Sequence, residues 1–388
     1  MTELDEQAQV RCVLMRAGTS KGLFFHEADL PPAGPLRDRF LKRAMGTPDV
    51  IQIDGLGGSR LVTSKVAIVK RSERPDADVD YTFAQVDIAI DRLDHEANCG
   101  NISSGVGPFA IDEGLVTAVE PVTGVRIYNT NTGKILVALV PVAGRRARVT
   151  GTCAIPGVPG TGAEILMDYT GAVGARTGRL LPTGRPTELI TLSDGSSVEV
   201  TLCDAGNPCV FVRAKDMGFD GSELPAEIAS RSAAMERISE IQSRAAERIG
   251  LVNDWRELRH PALPLFVMVA EAADYTDMNG ARHATAGMDL RARLVFLGQC
   301  HESMAGTGSM ATGAASRVHG SIVNAVLLSG GASTRTLRIG HPLGVMTVTV
   351  DVEGADEQGA PRFSALGFSR TARRLMDGVV YVPRRDLE

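Results

Sequence analysis

Apolar and polar residues alternate with a period of two over several short stretches of the first half, a pattern that predicts strands. Gln9–Met15, Gly22–His26, Leu61–Lys70 and Tyr81–Ile90 carry it, together with β-branched residues. Pro35–Met45 predicts a short surface helix, with proline in the first turn where its missing N–H costs nothing. Beyond residue 99 two further strands are expected, Gly124–Asn129 and Lys134–Pro141, separated by Asn-Thr-Gly turn chemistry. Gly151–Pro186 is rich in Gly, Pro and Thr and is read as holding a boundary between halves. Strands resume at Thr187–Leu202 and Val210–Ala214. Pro225–Gly250 has the apolar spacing of a long amphipathic helix. Leu265–Ala270, Thr347–Val352 and Val379–Val382 read as strands, and Met288–Leu297 fits either helix or strand.

Two segments break this pattern. Asn98-Cys99-Gly100-Asn101 opens a run of small residues, and Met304-Ala305-Gly306-Thr307-Gly308 opens a second one. A further likeness precedes each: Ala17-Gly18-Thr19-Ser20 in the first half, Ala205-Gly206-Asn207-Pro208 in the second. Loop then small-residue helix, twice in one order, is what an internal duplication leaves, although Gly- and Ala-rich text also matches by chance. With a duplication, a site is expected between the halves, where the two helix N-termini meet. Residues 1–184, with the tail 375–388 returning to them, form the expected first half, and 185–374 the second.

Composition narrows the function classes. The chain has 388 residues, enough for two domains with cores. Aromatic residues are only 4%, too few for base-stacking platforms, and 41 basic against 46 acidic residues leave a net charge of −5. Both argue against a general nucleic-acid binder; an anionic small molecule held by local donors is compatible with them. The opening segment is acidic and lacks the apolar stretch of an export signal, and no apolar run reaches membrane-spanning length. The six scattered cysteines then read as reduced thiols in a cytoplasmic protein.

Cys99 falls where a helix N-terminus is expected, and orphan N–H groups there favour negative charge on sulfur or on a bound carboxylate. A buried, inert cysteine is the ordinary alternative. Lys65 lies inside the Leu61–Lys70 strand, and alternation puts it on one face with Thr63, Ala67 and Val69. A lysine among small apolar neighbours is partly desolvated, and desolvation disfavours the ammonium, as a general base requires. A surface lysine reaching water is the alternative. Residues 15–22, which include Thr19 and Ser20, form a hydroxyl- and glycine-rich turn suited to an oxyanion, but their spacing is not that of a phosphate loop. Of seven histidines only His301 lies near a candidate segment, and none shows metal spacing. The basic run Arg370–Arg374 reads as a solvated or structural patch.

Met-Arg-Ala-Gly-Thr-Ser-Lys-Gly (15–22), Asp-Gly-Leu-Gly-Gly (54–58), Thr-Ser-Lys-Val (63–66), Asn-Cys-Gly-Asn (98–101), Gly-His-Pro-Leu-Gly (340–344) and Arg-Thr-Ala-Arg-Arg-Leu-Met-Asp-Gly (370–378) together resemble the PrpF-type isomerases. The motifs span nearly the whole chain. Gln52–Gly58, Pro75–Tyr81 and Phe83–Val86 are most similar to the 4-oxalomesaconate tautomerases, or Δ-isomerases, of aromatic and lignin catabolism. The fold this resemblance implies is α+β and diaminopimelate-epimerase-like. Such a fold has two similar halves, each a curled sheet around a central helix, with the active site in the cleft between them. Epimerases of that superfamily carry a second cysteine where this chain has Ala305, so a two-thiol racemase is disfavoured.

The activity implied is a cofactor-independent 1,3-allylic isomerisation of an unsaturated tricarboxylic keto acid, most closely 4-oxalomesaconate. Lys65 is assigned as the proton-transferring base and Cys99 as a helper acid or oxyanion contact. Thr19, Ser20, Asn98, Gly100 and Asn101 are expected to bind substrate oxygens from one side. Gly306, Thr307, Gly308 and Ser309 are expected to do so from the second helix, with His301 nearby. No metal and no cofactor are expected. The partners expected are a small anionic di- or tricarboxylate and, at most, a second copy of the chain in a homodimer; nucleic acid and membrane are not. The alternatives are a sister isomerase of aconitate or methylitaconate, and a non-catalytic accessory protein of an aconitase-like partner.

Overall fold

The computed structural model describes residues 6–95, 98–327 and 334–387; most of the acidic opening segment, 1–5, lies outside them. Two compact units divide the chain, Met1–Met167 with Arg370–Glu388, and Asp168–Ser369. These divisions differ from 184/185 and 374/375 for a local reason. The segment after residue 168 bonds to a strand of the second unit, Gly174 N to Asp204 O and Asp204 N to Leu180 O, both at 2.8 Å. Arg373 and Arg374 pair with the first strand of the first unit.

In the first unit, β1 (Gln7–Ala17) and β2 (Ser20–His26) form a hairpin that turns at Gly18-Thr19. The chain crosses through α1 (Pro35–Met45) to β3 (Lys65–Arg71), parallel to β2, and β4 (Val79–Val86) runs back against it. A second crossover, through α2 (Gly100–Asp112), leads to β5 (Val122–Asn129), parallel to β4, and β6 (Lys134–Ala143) returns. The C-terminal strand Ala372–Pro383 closes along β1.

Residues Gly100 to Ile111 of α2 are all buried, and the helix packs against each of β1 to β6 and the C-terminal strand. A helix enclosed on every side has no polar face, which explains its run of Gly, Ser and small apolar residues. The sheet curls around it. On the other face, α1 lays Phe40, Leu41 and Met45 over Leu23, Phe25, Ile68 and Val86.

The second unit repeats this order of strands and helices. β7 (Ser197–Ala205) and β8 (Asn207–Arg213) form a hairpin at Gly206. A crossover through α3 (Pro225–Ser230) and α4 (Ser232–Arg248) leads to β9 (Leu265–Glu271), parallel to β8, with β10 (Leu290–Phe296) antiparallel to it. The next crossover carries α5 (Gly306–Ser316), buried throughout, to β11 (Thr336–His341), parallel to β10; β12 (Gly344–Ala355) turns back. Outside the sheet, Ile238 and Ile241 of α4 pack on Val198, Val210, Phe266 and Met268.

Several expected elements change. Leu61–Thr63 is a single 3₁₀ turn, so the strand begins at Lys65 itself and Thr63 does not share its face by alternation. Thr187–Leu202 is interrupted by a turn at Gly195, and the long helix breaks at Arg231. Met288–Leu297 resolves as strand β10. β11 and the strand Pro361–Arg370 went without a sequence signal.

Candidate active site

Lys65 is the first residue of β3, and its side chain is only 3% exposed. Its Nζ donates to Gln85 Oε1 at 2.7 Å and lies 5.3 Å from the centre of the Phe83 ring. Among the described residues no carboxylate pairs with it. The backbone of β2 approaches closely here: a Cβ on Gly22, the parallel partner of Lys65, would sit 2.5 Å from the Lys65 carbonyl oxygen. Upstream, Gln52 is buried in a left-handed conformation at φ 47° and donates through Nε2 to Ser64 Oγ at 2.7 Å.

Cys99 caps α2 from an extended conformation, its Sγ accepting from the Ile102 amide at 3.5 Å. Gly100 and Asn101 are the first two helical residues. Asn98 is buried, and its Oδ1 accepts from Asn129 Nδ2 at 2.9 Å and from Ser103 Oγ at 3.3 Å. The β1–β2 turn docks on this helix end. Asn101 Nδ2 donates to Thr19 Oγ1 at 3.1 Å, and Asn101 Oδ1 accepts from the Thr19 amide at 3.3 Å. Gly18 makes the approach possible: its φ is 54°, and a Cβ there would lie 2.1 Å from Asn101 Oδ1. Ser20 is buried, and its hydroxyl finds no hydrogen-bond partner among the described residues. The turn thus joins the helix start, and Lys65 follows level with the third residue of β2. Thr19, Ser20, Lys65 and Asn98–Asn101 gather at one end of the first unit. Orphan amide N–H groups at that end favour a bound anion.

Of the Arg370–Arg374 run, read from the sequence as a solvated or structural patch, the first residue is not solvated. Arg370 is buried, and its Nε donates to Asn101 Oδ1 at 2.8 Å. No spacing signal distinguishes it from its neighbours: it ends the strand Pro361–Arg370, and the next residue, Thr371, accepts from the Gly18 amide at 3.0 Å, which brings Arg370 to the β1–β2 turn. Arg374 does serve structure. It reaches Glu113, the C-cap of α2, at 2.6 Å, where Arg11 at 2.6 Å and His26 at 3.0 Å join it. Burial opposes ionisation of Glu113, but these hydrogen bonds override it and bring the carboxyl down to about 2. Gln85 and Ser64 also escaped the reading as site residues; polar residues in a strand carry no mark of the side chain they face.

In the second unit Gly306 and Thr307 begin α5 after Ala305, which offers no side-chain cap. Thr307 Oγ1 accepts from Asn207 Nδ2 at 3.0 Å. Ser309 turns its hydroxyl onto Gly306 O at 2.7 Å, and Gly308 packs against Leu294. His301 is buried, its Nδ1 accepting from the Ser303 amide at 3.0 Å. Strand register allows the units to be compared position by position. Gly22 and Cys209 are each the third residue of the second hairpin strand, and their parallel partners are Lys65 and Leu265. The second unit therefore has leucine where the first has Lys65, and alanine where it has Cys99.

All six cysteines are free. Burial pushes the Cys12 thiol up to about 11 and Cys300 to about 12, and raises Cys203 and Cys209 as well, so these four are inert packing residues. Among the described residues no three His, Cys, Asp or Glu side chains gather as a metal-ligand set, and no helix is long and apolar enough to cross a membrane.

Residues 7–383 match the family model described as PrpF protein. A 3-methylitaconate isomerase of Eubacterium barkeri is 45% identical, over 99% of this chain and 100% of its own length. A 4-oxalomesaconate tautomerase of Pseudomonas putida is 39% identical, over 97% of each chain. The crystal structure of a methylitaconate-delta-isomerase superposes with a TM-score of 0.79 at 45% identity, covering 99% of this chain and 98% of that one. A hydroxyproline epimerase from Agrobacterium vitis superposes at 0.55 with 12% identity, over 97% and 93%, a likeness of fold alone. The fold is the α+β, diaminopimelate-epimerase-like one.

Proposed function

The chain belongs to the PrpF family and is an isomerase of unsaturated carboxylic acids, and from that premise we propose that it shifts a C=C bond by a lysine-mediated 1,3-proton transfer. Lys65 takes a proton from the sp³ carbon next to the alkene. The electron pair of that C–H bond delocalises through the alkene into a conjugated carbonyl or carboxylate, giving a dienolate. The same ammonium returns the proton two carbons away. The net change is a moved double bond, and the amine is regenerated.

One observation carries this reading: Lys65 is buried, level with Gly22 just beyond the turn that docks on α2, yet among the described residues its only polar partner is a neutral amide oxygen. A lysine buried for structure is expected to sit on a carboxylate. Oxygens of the dienolate and of the substrate carboxylates would meet the first-turn amides of α2, Asn101, Thr19 and the buried Ser20 hydroxyl. Preorganised donors of this kind supply much of an enzyme's rate. Cys99 stands at the same helix start as a contact or helper acid. Within the second unit, Gly306, Thr307, Gly308 and Ser309 would offer donors of the same kind at the start of α5, with His301 ahead of them in the chain.

For the substrate we place a 3-methylitaconate-type dicarboxylate first. The support is the 45% identity to the isomerase of that acid against 39% to the 4-oxalomesaconate tautomerase. The keto acid expected from the sequence stands second. Purified enzyme incubated with each acid in D₂O and followed by NMR tests both. Double-bond migration with deuterium entering the allylic carbon of one acid is the expected result. No migration and no exchange in either acid would overturn the reading.

A further inference from the structure

Gln85 stands directly opposite Lys65 in the β3–β4 ladder and is itself 3% exposed. Its amide nitrogen is surrounded by carbonyl oxygens, Ser64 O at 2.9 Å, Leu61 O at 3.1 Å and Val86 O at 3.3 Å. Only the nitrogen can face three acceptors, so the orientation of the amide is fixed and Oε1 must point at Nζ. The Ser64 side chain is held in turn by Gln52. The titratable and charged groups on neighbouring elements are Lys21 and His26 on β2, Arg60 before the 3₁₀ turn, Asp80 and Tyr81 on β4 with Asp87 after it, Asp94 on the short strand beside Gln85, and Cys99 and Asp112 at the two ends of α2. None of them hydrogen-bonds or ion-pairs with Nζ.

We infer that Gln85 is the positioning residue of the lysine, holding Nζ in one place through both halves of the proton cycle. This rests on the reading of Lys65 as the base. A neutral amide oxygen accepts from an ammonium and from an amine alike, so the anchor survives when the proton leaves for the substrate carbon. A carboxylate at the same position would hold the proton on nitrogen and leave an unpaired buried charge each time it departed. The glutamine supplies aim without electrostatic retention.

The test compares Gln85→Glu, Gln85→Met and Lys65→Met with the wild type. The readouts are pH profiles of kcat/KM, KM against kcat, and thermal melts. In Gln85→Glu the acidic limb of the profile moves to higher pH by about one to three units. In Gln85→Met, which fills the same volume without an acceptor, kcat falls by up to about 100-fold with KM little changed and the limb unmoved. An unmoved limb in a folded Gln85→Glu, or wild-type kcat in Gln85→Met should the glutamate variant not fold, overturns the inference. If Lys65→Met is inactive in that case, the base reading stands alone. An active Lys65→Met overturns both.

Discussion

Asn101 and Thr19 are joined twice, amide nitrogen to hydroxyl at 3.1 Å and backbone amide to Oδ1 at 3.3 Å, and the second unit makes the first of these links with the residue types exchanged. There the asparagine, Asn207, is on the turn and the threonine, Thr307, on the helix, at 3.0 Å. The exchange predicts a specific rescue. Thr19→Asn and Asn101→Thr should each lower kcat/KM. The double variant should recover a coupling of about 0.5–3 kcal/mol in a double-mutant cycle, with Arg370 still able to reach the helix end. Strict additivity of the two losses would show that the pair does not act as a unit.

Gly22 is required by the backbone of Lys65 rather than by its own conformation. Gly22→Ala forces a methyl against the Lys65 carbonyl, and it should cost about 1–3 kcal/mol of stability and displace the lysine. Gly124→Ala, where the nearest atom to an added Cβ is a leucine methyl at 3.6 Å, serves as the control. Thermal melts and kcat for both variants check this; equal behaviour contradicts it.

Glu113 anchors the far end of α2. Its folded carboxyl is held at about 2 against an ordinary 4.5, so the unfolded chain binds its proton first as pH falls. The stabilisation is complete above about 4.5 and is lost between there and about 2. Glu113→Gln should therefore be less stable than wild type at pH 7, with the difference in urea midpoint shrinking across that window. A pH-independent difference would place the effect in packing instead.

Cys99 has lost its counterpart, since the matching position is Ala305. As a contact rather than the principal proton carrier, its change to serine should lower kcat/KM by roughly 10-fold. Steady-state kinetics check the ranking: a loss as deep as that of Lys65→Met would return the thiol to the centre of the chemistry.

Much of this was legible in the sequence. The two small-residue helices, the two turns before them and the α1 boundaries follow from residue pattern, because an enclosed helix must be small on every side and tight turns need glycine. Lys65 and Cys99 stood out by residue type and context. Gln85, Ser64 and Arg370 did not. Their places depend on strand register: Gln85 faces Lys65 only because β3 and β4 pair at those residues, and Arg370 reaches Asn101 only because the C-terminal strand returns along β1. Long-range pairing of this kind leaves no local periodicity. The division of the compact units at 167/168 was not legible either, since the segment after residue 168 is held by hydrogen bonds to β7 rather than marked by its own composition.

The central claim is that Lys65 carries the proton. The most direct measurement is turnover of Lys65→Met on the acid that the wild type isomerises, with deuterium exchange at the allylic carbon followed in D₂O. Loss of both by roughly 10²–10⁴-fold, with an unchanged melting temperature, is the predicted result. Near-normal isomerisation and exchange by a folded Lys65→Met would contradict it.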